Sequence, residues 1–151
     1  MKLHKFTRSL LLLSLGITAF AQAQTLSMEV WKSPTCGCCN EWISYMQKNG
    51  FEVKVNETGN YDAHKRFNIK YEHASCHTAV IDGYVIEGHV PAEDIKRLLA
   101  EKPDAIGLSA PGMPIGSSGM DGEAYGGRKD PYDVVLIKKN GESEVFKSYN
   151  Q

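Results

Sequence analysis

The amino-acid sequence predicts an α/β domain over residues 24–151, with the element order β-α-β-α-β-β-α followed by a long loop and a C-terminal β-hairpin. Three observations predict this class. Strand-like segments with alternating apolar residues recur along the chain, and segments of helical periodicity separate them. In addition, an Asp-Gly pair and an Asn-Gly pair each lie between two strand-like segments, as in β-hairpins.

The first 23 residues have the features of a secretory signal peptide. Lys2, Lys5 and Arg8 give a positive start. A short apolar run at residues 10–20 and an Ala-Gln-Ala cleavage signal at residues 21–23 follow. The run is shorter than the about 20 residues of a membrane span, so we expect cleavage and no stable membrane insertion afterwards. Cleavage moves the formal net charge from −1 to −4, which gives no reason to expect a nucleic-acid partner.

The first part of the domain predicts a β-α-β unit. Residues 28–31 alternate as a short strand, and a helix is expected to start at the cysteines that follow. Trp42 and Met46 lie on one face of that helix, which Asn49 and the glycine after it are expected to end. Residues 51–55 alternate again as the second strand. The cysteines therefore lie at the first strand-to-helix junction.

The middle of the chain predicts the remaining elements of the β-α-β-α-β-β-α order. A short helix, two strands and a third helix are predicted at residues 61–67, 78–81, 84–87 and from Pro91 to Pro103, respectively. An Asp-Gly pair between the two strands is a strong hairpin signal. Proline at the start of the third helix, with two acidic residues in its first turn, is typical of helix N-termini. The complete order is that of a thioredoxin-like domain.

The segment at residues 103–131 is different in composition. It is rich in Gly, Pro and Ser and has neither helical nor strand periodicity, so we predict a structureless loop. Loops of this length are usually functional or disordered, and this one carries Met113 and Met120. Residues 133–137 and 144–146 around an Asn-Gly turn predict a second hairpin, added to the sheet or packed on the loop.

Three thiols within four positions are the main chemical feature of the chain. Cys36 and Cys39 have the C-x-x-C spacing of thioredoxin-type dithiols, whereas Cys36 and Cys38 have the C-x-C spacing of thiolate metal sites. Cys76 lies far along the chain beside His77, and we expect all five residues to meet in space. A helix N-terminus lowers thiol pKa values, which favours nucleophilic attack and metal ligation equally. In an exported protein, two structural disulfides are a further alternative.

The donor types favour copper as the metal. Soft thiolate and thioether ligands select Cu(I), and clustered thiolates can bridge more than one ion. The loop before the third strand usually carries a cis-proline in a thioredoxin-like fold, and that proline tends to keep metal out. Here residues 75–78 are Ser-Cys-His-Thr, so the same place offers two metal ligands instead. Zinc accepts cysteine and histidine too, but it has no need of methionine. The predicted copper ligands are Cys36, Cys38, Cys39, Cys76 and His77, with Met113 and Met120 as additional candidates. Silver and mercury favour the same sulfurs.

The remaining histidines and the tryptophans have structural interpretations. We expect His89, just before Pro91, to be a structural cap or an outer-sphere group rather than a ligand. His64 and His73 are expected to be solvated surface residues. The two tryptophans are expected in the core.

Five segments, taken together, form a specific set of motifs. They are Trp-Lys-Ser-Pro-Thr-Cys-Gly-Cys-Cys at residues 31–39, Ala-Ser-Cys-His-Thr-Ala-Val at 74–80, Tyr-Val-Ile-Glu-Gly-His-Val-Pro at 84–91, Pro-Gly-Met-Pro-Ile-Gly at 111–116 and Gly-Gly-Arg-Lys-Asp-Pro-Tyr at 126–132. The set resembles the CopG-like family of periplasmic copper-resistance proteins. The resemblance implies a thioredoxin-like fold and copper tolerance with Cu(I)/Cu(II) redox chemistry. It also implies copper binding through the four cysteines, together with His77.

The leading functional hypothesis is a periplasmic copper-binding protein that holds Cu(I) in its cysteine cluster and acts as a copper/thiol oxidoreductase. A thiol-disulfide oxidoreductase is the first alternative, with Cys36 as nucleophile and Cys39 as resolving thiol. The second alternative is a passive carrier that passes copper to an exporter or to a periplasmic copper carrier. The absent cis-proline and the extra thiol count against the disulfide-exchange enzyme. The sequence does not separate the carrier from the leading hypothesis, because copper binding and redox chemistry use the same residues.

Overall fold

The computed structural model describes residues 25–151, so the predicted signal peptide at residues 1–23 lies outside the described residues. The strands, in chain order, are β1 (Leu26–Lys32), β2 (Phe51–Asn56), β3 (His77–Ile81), β4 (Tyr84–Gly88), β5 (Ala105–Ala110), β6 (Tyr132–Lys138) and β7 (Ser143–Tyr149). The α-helices of this part of the chain are α1 (Gly37–Lys48), α2 (Tyr61–Phe67) and α3 (Ala92–Glu101). The predicted mixed α/β class is confirmed.

All seven strands form one sheet in the order β2-β1-β3-β4-β5-β6-β7. Strand β1 is parallel to β2 and antiparallel to β3, and β4 is parallel to β5. The β3–β4 hairpin turns at Asp82 and Gly83, whose φ angles of 47° and 82° are those that a two-residue turn between twisted strands requires. The C-terminal hairpin joins the sheet through β6, as one of the two predicted arrangements has it. Among residues 25–151, no helix has the length and apolarity needed to cross a bilayer.

Strand β5 corrects the prediction of a structureless loop over residues 103–131. It lies between β4 and β6, and its last four residues are buried. A strand buried on both faces has no apolar-polar alternation, so the periodicity that identified the other strands is missing here. Gly107 permits the close approach of β4, because a Cβ at this position would overlap the carbonyl oxygen of Val85. The loop that remains, residues 111–131, is called the long loop below.

The core holds α1 and α3 to the sheet and positions the N-terminus of α1. Trp42 and Met46 of α1 are fully buried, and the Trp42 Nε1–H donates a 3.0 Å hydrogen bond to the carbonyl oxygen of Val90. That bond ties α1 to the segment just after β4. Trp31 lies outside the core, contrary to expectation, and is half-buried with its ring centroid 6.1 Å from that of Phe67.

We expect the Gly107→Ala substitution to lower the free energy of unfolding by about 3 kcal/mol or more, because overpacking against the β4 backbone has no free space to relax into. Urea denaturation followed by circular dichroism measures the effect. Gly122→Ala is the matched control, since a Cβ there would meet no described atom within 4 Å and the backbone φ is negative. Equal stability of the two variants would contradict this account of β5.

Candidate metal centre

Three of the four cysteines are brought together by the first turn of α1. Cys36 is the N-cap residue with extended backbone, and its Sγ accepts a 3.3 Å hydrogen bond from the Cys39 amide. The amide of Cys36 in turn donates to the carbonyl oxygen of Ser33, so a tight turn after β1 feeds directly into the helix. Cys36 and Cys39 are joined by a disulfide, whereas Cys38 is a free, half-buried thiol. Its Sγ lies 3.5 Å from that of Cys36.

The fourth cysteine reaches this helix end because β3 pairs with β1. The register sets Lys32 opposite His77, so Cys76, which precedes β3, lies beside the turn that leads into α1. The Sγ atoms of Cys76 and Cys39 are 3.5 Å apart. All four sulfurs lie within 4.8 Å of one another. The structure therefore brings together the four thiol positions that the sequence analysis proposed.

Two buried imidazoles extend the cluster on the other side of Cys76. Its Sγ lies 3.5 Å from Nδ1 of His77 and 3.2 Å from Nε2 of His89. Both histidines are fully buried, and their rings meet edge to face at 5.0 Å. Cys76, His77 and His89 form a second group whose ligand atoms lie within 4.8 Å of one another. Cys76 belongs to both groups.

His89 has a position that the sequence analysis did not expect of it. Its Nδ1 lies 2.8 Å from the carbonyl oxygen of Ser118, which accepts the Nδ1 proton and leaves a lone pair on Nε2 facing Cys76. Metal-binding histidines commonly donate their other N–H to such a carbonyl. The sequence did contain the signal. Thr78 pairs with Glu87, and continuing that hairpin register by two residues sets Cys76 opposite His89.

Burial controls the protonation of these groups. Burial raises the pKa of the Cys76 thiol to about 12, with a smaller contribution from the neighbouring Cys38. Burial also lowers the pKa of His77 well below its usual range, and the adjacent His89 adds to that effect. The pKa of His89 is lowered by burial as well. Near neutral pH, the histidines therefore offer neutral lone pairs, whereas Cys76 has to lose a proton before it can bind a metal.

The two candidate methionines differ in their surroundings. Met113 is 53% exposed and lines an open cavity of about 530 Å³ together with Cys76 and Tyr71. Met120 is buried, and its Sδ accepts a 3.2 Å hydrogen bond from the Tyr125 hydroxyl. Met113 is thus the loop methionine that shares an open surface with a cysteine of the cluster.

The long loop is fixed to the cluster at specific points. Gly119 has a φ of +84° and packs against the backbone of α1, where a Cβ would lie 2.6 Å from the Trp42 nitrogen. The preceding residue, Ser118, provides the carbonyl that orients His89. At its start, the Gly112 amide donates to the carbonyl oxygen of Ala74. Because of these contacts, the long loop forms part of the wall around the cysteines.

His64 and His73 are not the solvated surface residues that the sequence analysis predicted. His73 is buried in a short 3-10 turn, Tyr71–His73. His64 is half-buried, and its Nε2 donates a 2.8 Å hydrogen bond to a carboxylate oxygen of Glu87. Neither residue belongs to the two groups described above.

The fold and the site define an α/β protein with a thiol-rich cluster that could hold metal ions. The family described as "Protein of unknown function, DUF411" matches residues 73–120. None of the curated proteins matches the chain significantly. Two solved structures do match it, described as "Copper resistance protein copG", Form 2 and Form 1.

The first of these structures has 41% sequence identity and a TM-score of 0.77, with 83% of this chain and 99% of that chain covered. The second has 40% identity and the same TM-score, with 85% and 100% covered. The chain therefore belongs to the CopG family of copper-resistance proteins, as the resemblance of its motifs implied.

We expect alkylation of Cys76 by iodoacetamide to stay slow from pH 7 to 9 in the native protein, because the thiolate is the reactive form and burial raises this pKa to about 12. In urea the same thiol should react as an ordinary cysteine. Peptide mass spectrometry separates Cys76 from the other free thiol, Cys38, and gives the rate of each. A native rate equal to the rate in urea would contradict the raised pKa of Cys76.

Proposed function

We propose that this protein is a periplasmic copper-binding protein of copper resistance that holds Cu(I) in its cysteine cluster and interconverts Cu(I) and Cu(II). The observation that carries the proposal is the presence of two ligand groups that share Cys76. One group has four sulfurs within 4.8 Å of one another, and the other joins Cys76 to two buried imidazoles. Membership of a copper-resistance family supports it. The signal peptide at residues 1–23 would export the chain, and residues 24–151 would form the single mature domain.

The proposed ligands are the residues of the two groups, namely Cys36, Cys38, Cys39, Cys76, His77 and His89. They fit copper chemically, because thiolates favour Cu(I) and imidazole suits copper in both oxidation states. Cys76 can bridge metal ions, since its sulfur belongs to both groups. The cluster is therefore suited to more than one ion. Met113 is the proposed first contact for incoming copper, because its exposed thioether lines the cavity that opens on Cys76.

The disulfide between Cys36 and Cys39 supplies the redox half of the proposal. When the reduced dithiol is oxidised, a sulfur–sulfur bond forms, two protons are released, and two electrons reduce two Cu(II) to two Cu(I). Cys38 and Cys76 remain free in the oxidised form and can keep the product bound. An external thiol reductant would restore the dithiol by exchange.

A thioredoxin-like core is part of the same proposal. The sub-sheet β2-β1-β3-β4, with β1 parallel to β2 and antiparallel to β3, supports it, as does a dithiol at the N-terminus of the helix after β1. The Cys36–Cys39 disulfide also favours the second candidate function, exchange with protein disulfides. Cys38 distinguishes the two, because copper chemistry gives this intervening thiol a role and disulfide exchange does not.

We expect the reduced protein to bind Cu(I) with all four thiols masked. Because Cys38→Ser removes a proposed thiolate ligand, it should weaken binding by about tenfold or more, at least as much as an outer-sphere substitution does. An anaerobic titration against a competing Cu(I) chelator measures the affinity, and a thiol reagent counts the free cysteines. Asn40→Ser is the control, since this exposed residue lies in the same helix turn. If Cys38→Ser binds Cu(I) as tightly as the parent, the cluster is not the ligand set.

The electron count tests the redox step separately. Mixed anaerobically with excess Cu(II) and a Cu(I)-specific indicator, the reduced protein should give about two more Cu(I) per chain than the double variant Cys36→Ser/Cys39→Ser. Cys38→Ser should retain this difference, because it leaves the dithiol intact. Rapid reduction of insulin disulfides without reduction of Cu(II) would favour the thiol-disulfide oxidoreductase instead.

A further inference from the structure

Glu87 is a fully buried carboxylate with hydrogen-bond donors to both of its oxygens. It lies on β4 opposite Thr78. Its Oε1 accepts a 2.7 Å hydrogen bond from the Ser75 amide and a 2.8 Å bond from Nε2 of His64. Its Oε2 accepts a 2.6 Å bond from the Thr78 hydroxyl. Burial of a carboxylate is costly unless its oxygens are paired in this way. The three donors in turn require a hydrogen-bond acceptor at position 87.

Two of the residues that donate to Glu87, Ser75 and Thr78, lie next to proposed metal ligands in the sequence. Ser75 and Thr78 directly flank the dipeptide Cys76-His77 on its two sides. Glu87 therefore holds this pair of proposed ligands at both ends with one side chain. The Nδ2 of Asn60 braces the same two positions, at 3.1 Å from the Ser75 carbonyl oxygen and 3.2 Å from Thr78 Oγ1.

Two further observations concern the groups that surround Glu87. The hydrogen bond to Glu87 raises the pKa of His64, which favours the positively charged partner that a buried carboxylate needs. Gly88, the next residue, has a φ of +71°, and a Cβ there would overlap the side chain of Ser75. The segment before β3 therefore packs directly on β4, and the hydrogen bonds of Glu87 set where it lies.

We propose that Glu87 is a positioning residue of the metal centre. By fixing Ser75 and Thr78, it sets the place of Cys76, whose Sγ must lie within reach of the α1 sulfurs and of both imidazoles. The inference rests on the proposed copper-binding function and adds to it a residue that is not a ligand. Outer-sphere groups of this kind contribute to affinity because they remove the freedom that a ligand would otherwise lose on binding.

The test replaces Glu87 by Gln, which keeps the volume but sets an NH₂ group against donors that need an acceptor. We expect Glu87→Gln to lower Cu(I) affinity 10- to 100-fold (the range for outer-sphere substitutions is about this size) with the number of bound ions unchanged. The ultraviolet charge-transfer band of the Cu(I)-thiolate cluster should change as well. Thr78→Val, which removes one of the three donors, should have a smaller effect in the same direction.

Asp94→Asn is the matched control. Asp94, on α3, is also a buried carboxylate, 1% exposed, and it accepts a 2.6 Å hydrogen bond from the hydroxyl of Tyr149 on β7. It belongs to neither of the two ligand groups. We expect this variant to lose stability while its copper affinity and spectrum stay those of the parent. All variants are compared at a temperature where circular dichroism shows each to be folded, so that general destabilisation does not enter the affinity.

Two results would overturn the proposal. In the first, Glu87→Gln has the affinity and spectrum of the parent; in the second, Asp94→Asn loses as much affinity as Glu87→Gln. If the parent itself binds no copper, the proposed function fails. The native alkylation rate of Cys76 then tests separately whether Glu87 positions this cysteine. Glu87→Gln should then raise that rate at least severalfold over both the parent and Asp94→Asn, and equal rates would refute a positioning role.

Discussion

The antiparallel pairing of β3 with both β1 and β4 is the constraint on which the metal centre depends. Strand β1 leads into the turn before α1, and β4 ends just before His89. Cys76 precedes the strand that lies between them, so its sulfur is next to the α1 cysteines and to the imidazole of His89 at once. A shift of one residue in either pairing would turn this side chain to the other face of the sheet.

The second physical feature of the protein is the number of polar groups buried beside the cluster. His77, His89, Glu87 and Lys32 are all fully buried. Burial of such groups is unfavourable unless they are paired, and most of them are. Glu87 has three donors, and the Lys32 ammonium bonds to Glu57 and to the carbonyl oxygen of Ser33. Polar interiors of this kind are expected at functional sites, where a sequence departs from ideal core composition.

The parts of this structure that the sequence predicted well are local in origin. The helix at Tyr61–Phe67 has its predicted bounds, and the hairpin around Asp82 follows from the turn residues. The strand β5 was missed because burial on both faces removes alternation. His73 was misplaced, since nothing in a lone histidine shows whether it is buried. The position of His89 beside Cys76 was not predicted, because it depends on the register of the hairpin beyond the end of β4.

The sequence by itself determined which chemistry is available: three thiols at a helix N-terminus, a distant Cys-His pair, and motifs specific enough to place the chain in a copper-resistance family. Residue type and spacing along the chain are sufficient for that. Only the tertiary structure decided which donors meet, because distances between remote segments follow from strand pairing and loop packing. Pairing of β3 with β4 brings His89 to Cys76. The long loop packs against α1 at Gly119, and the residue before it, Ser118, provides the carbonyl oxygen that accepts a hydrogen bond from the His89 imidazole.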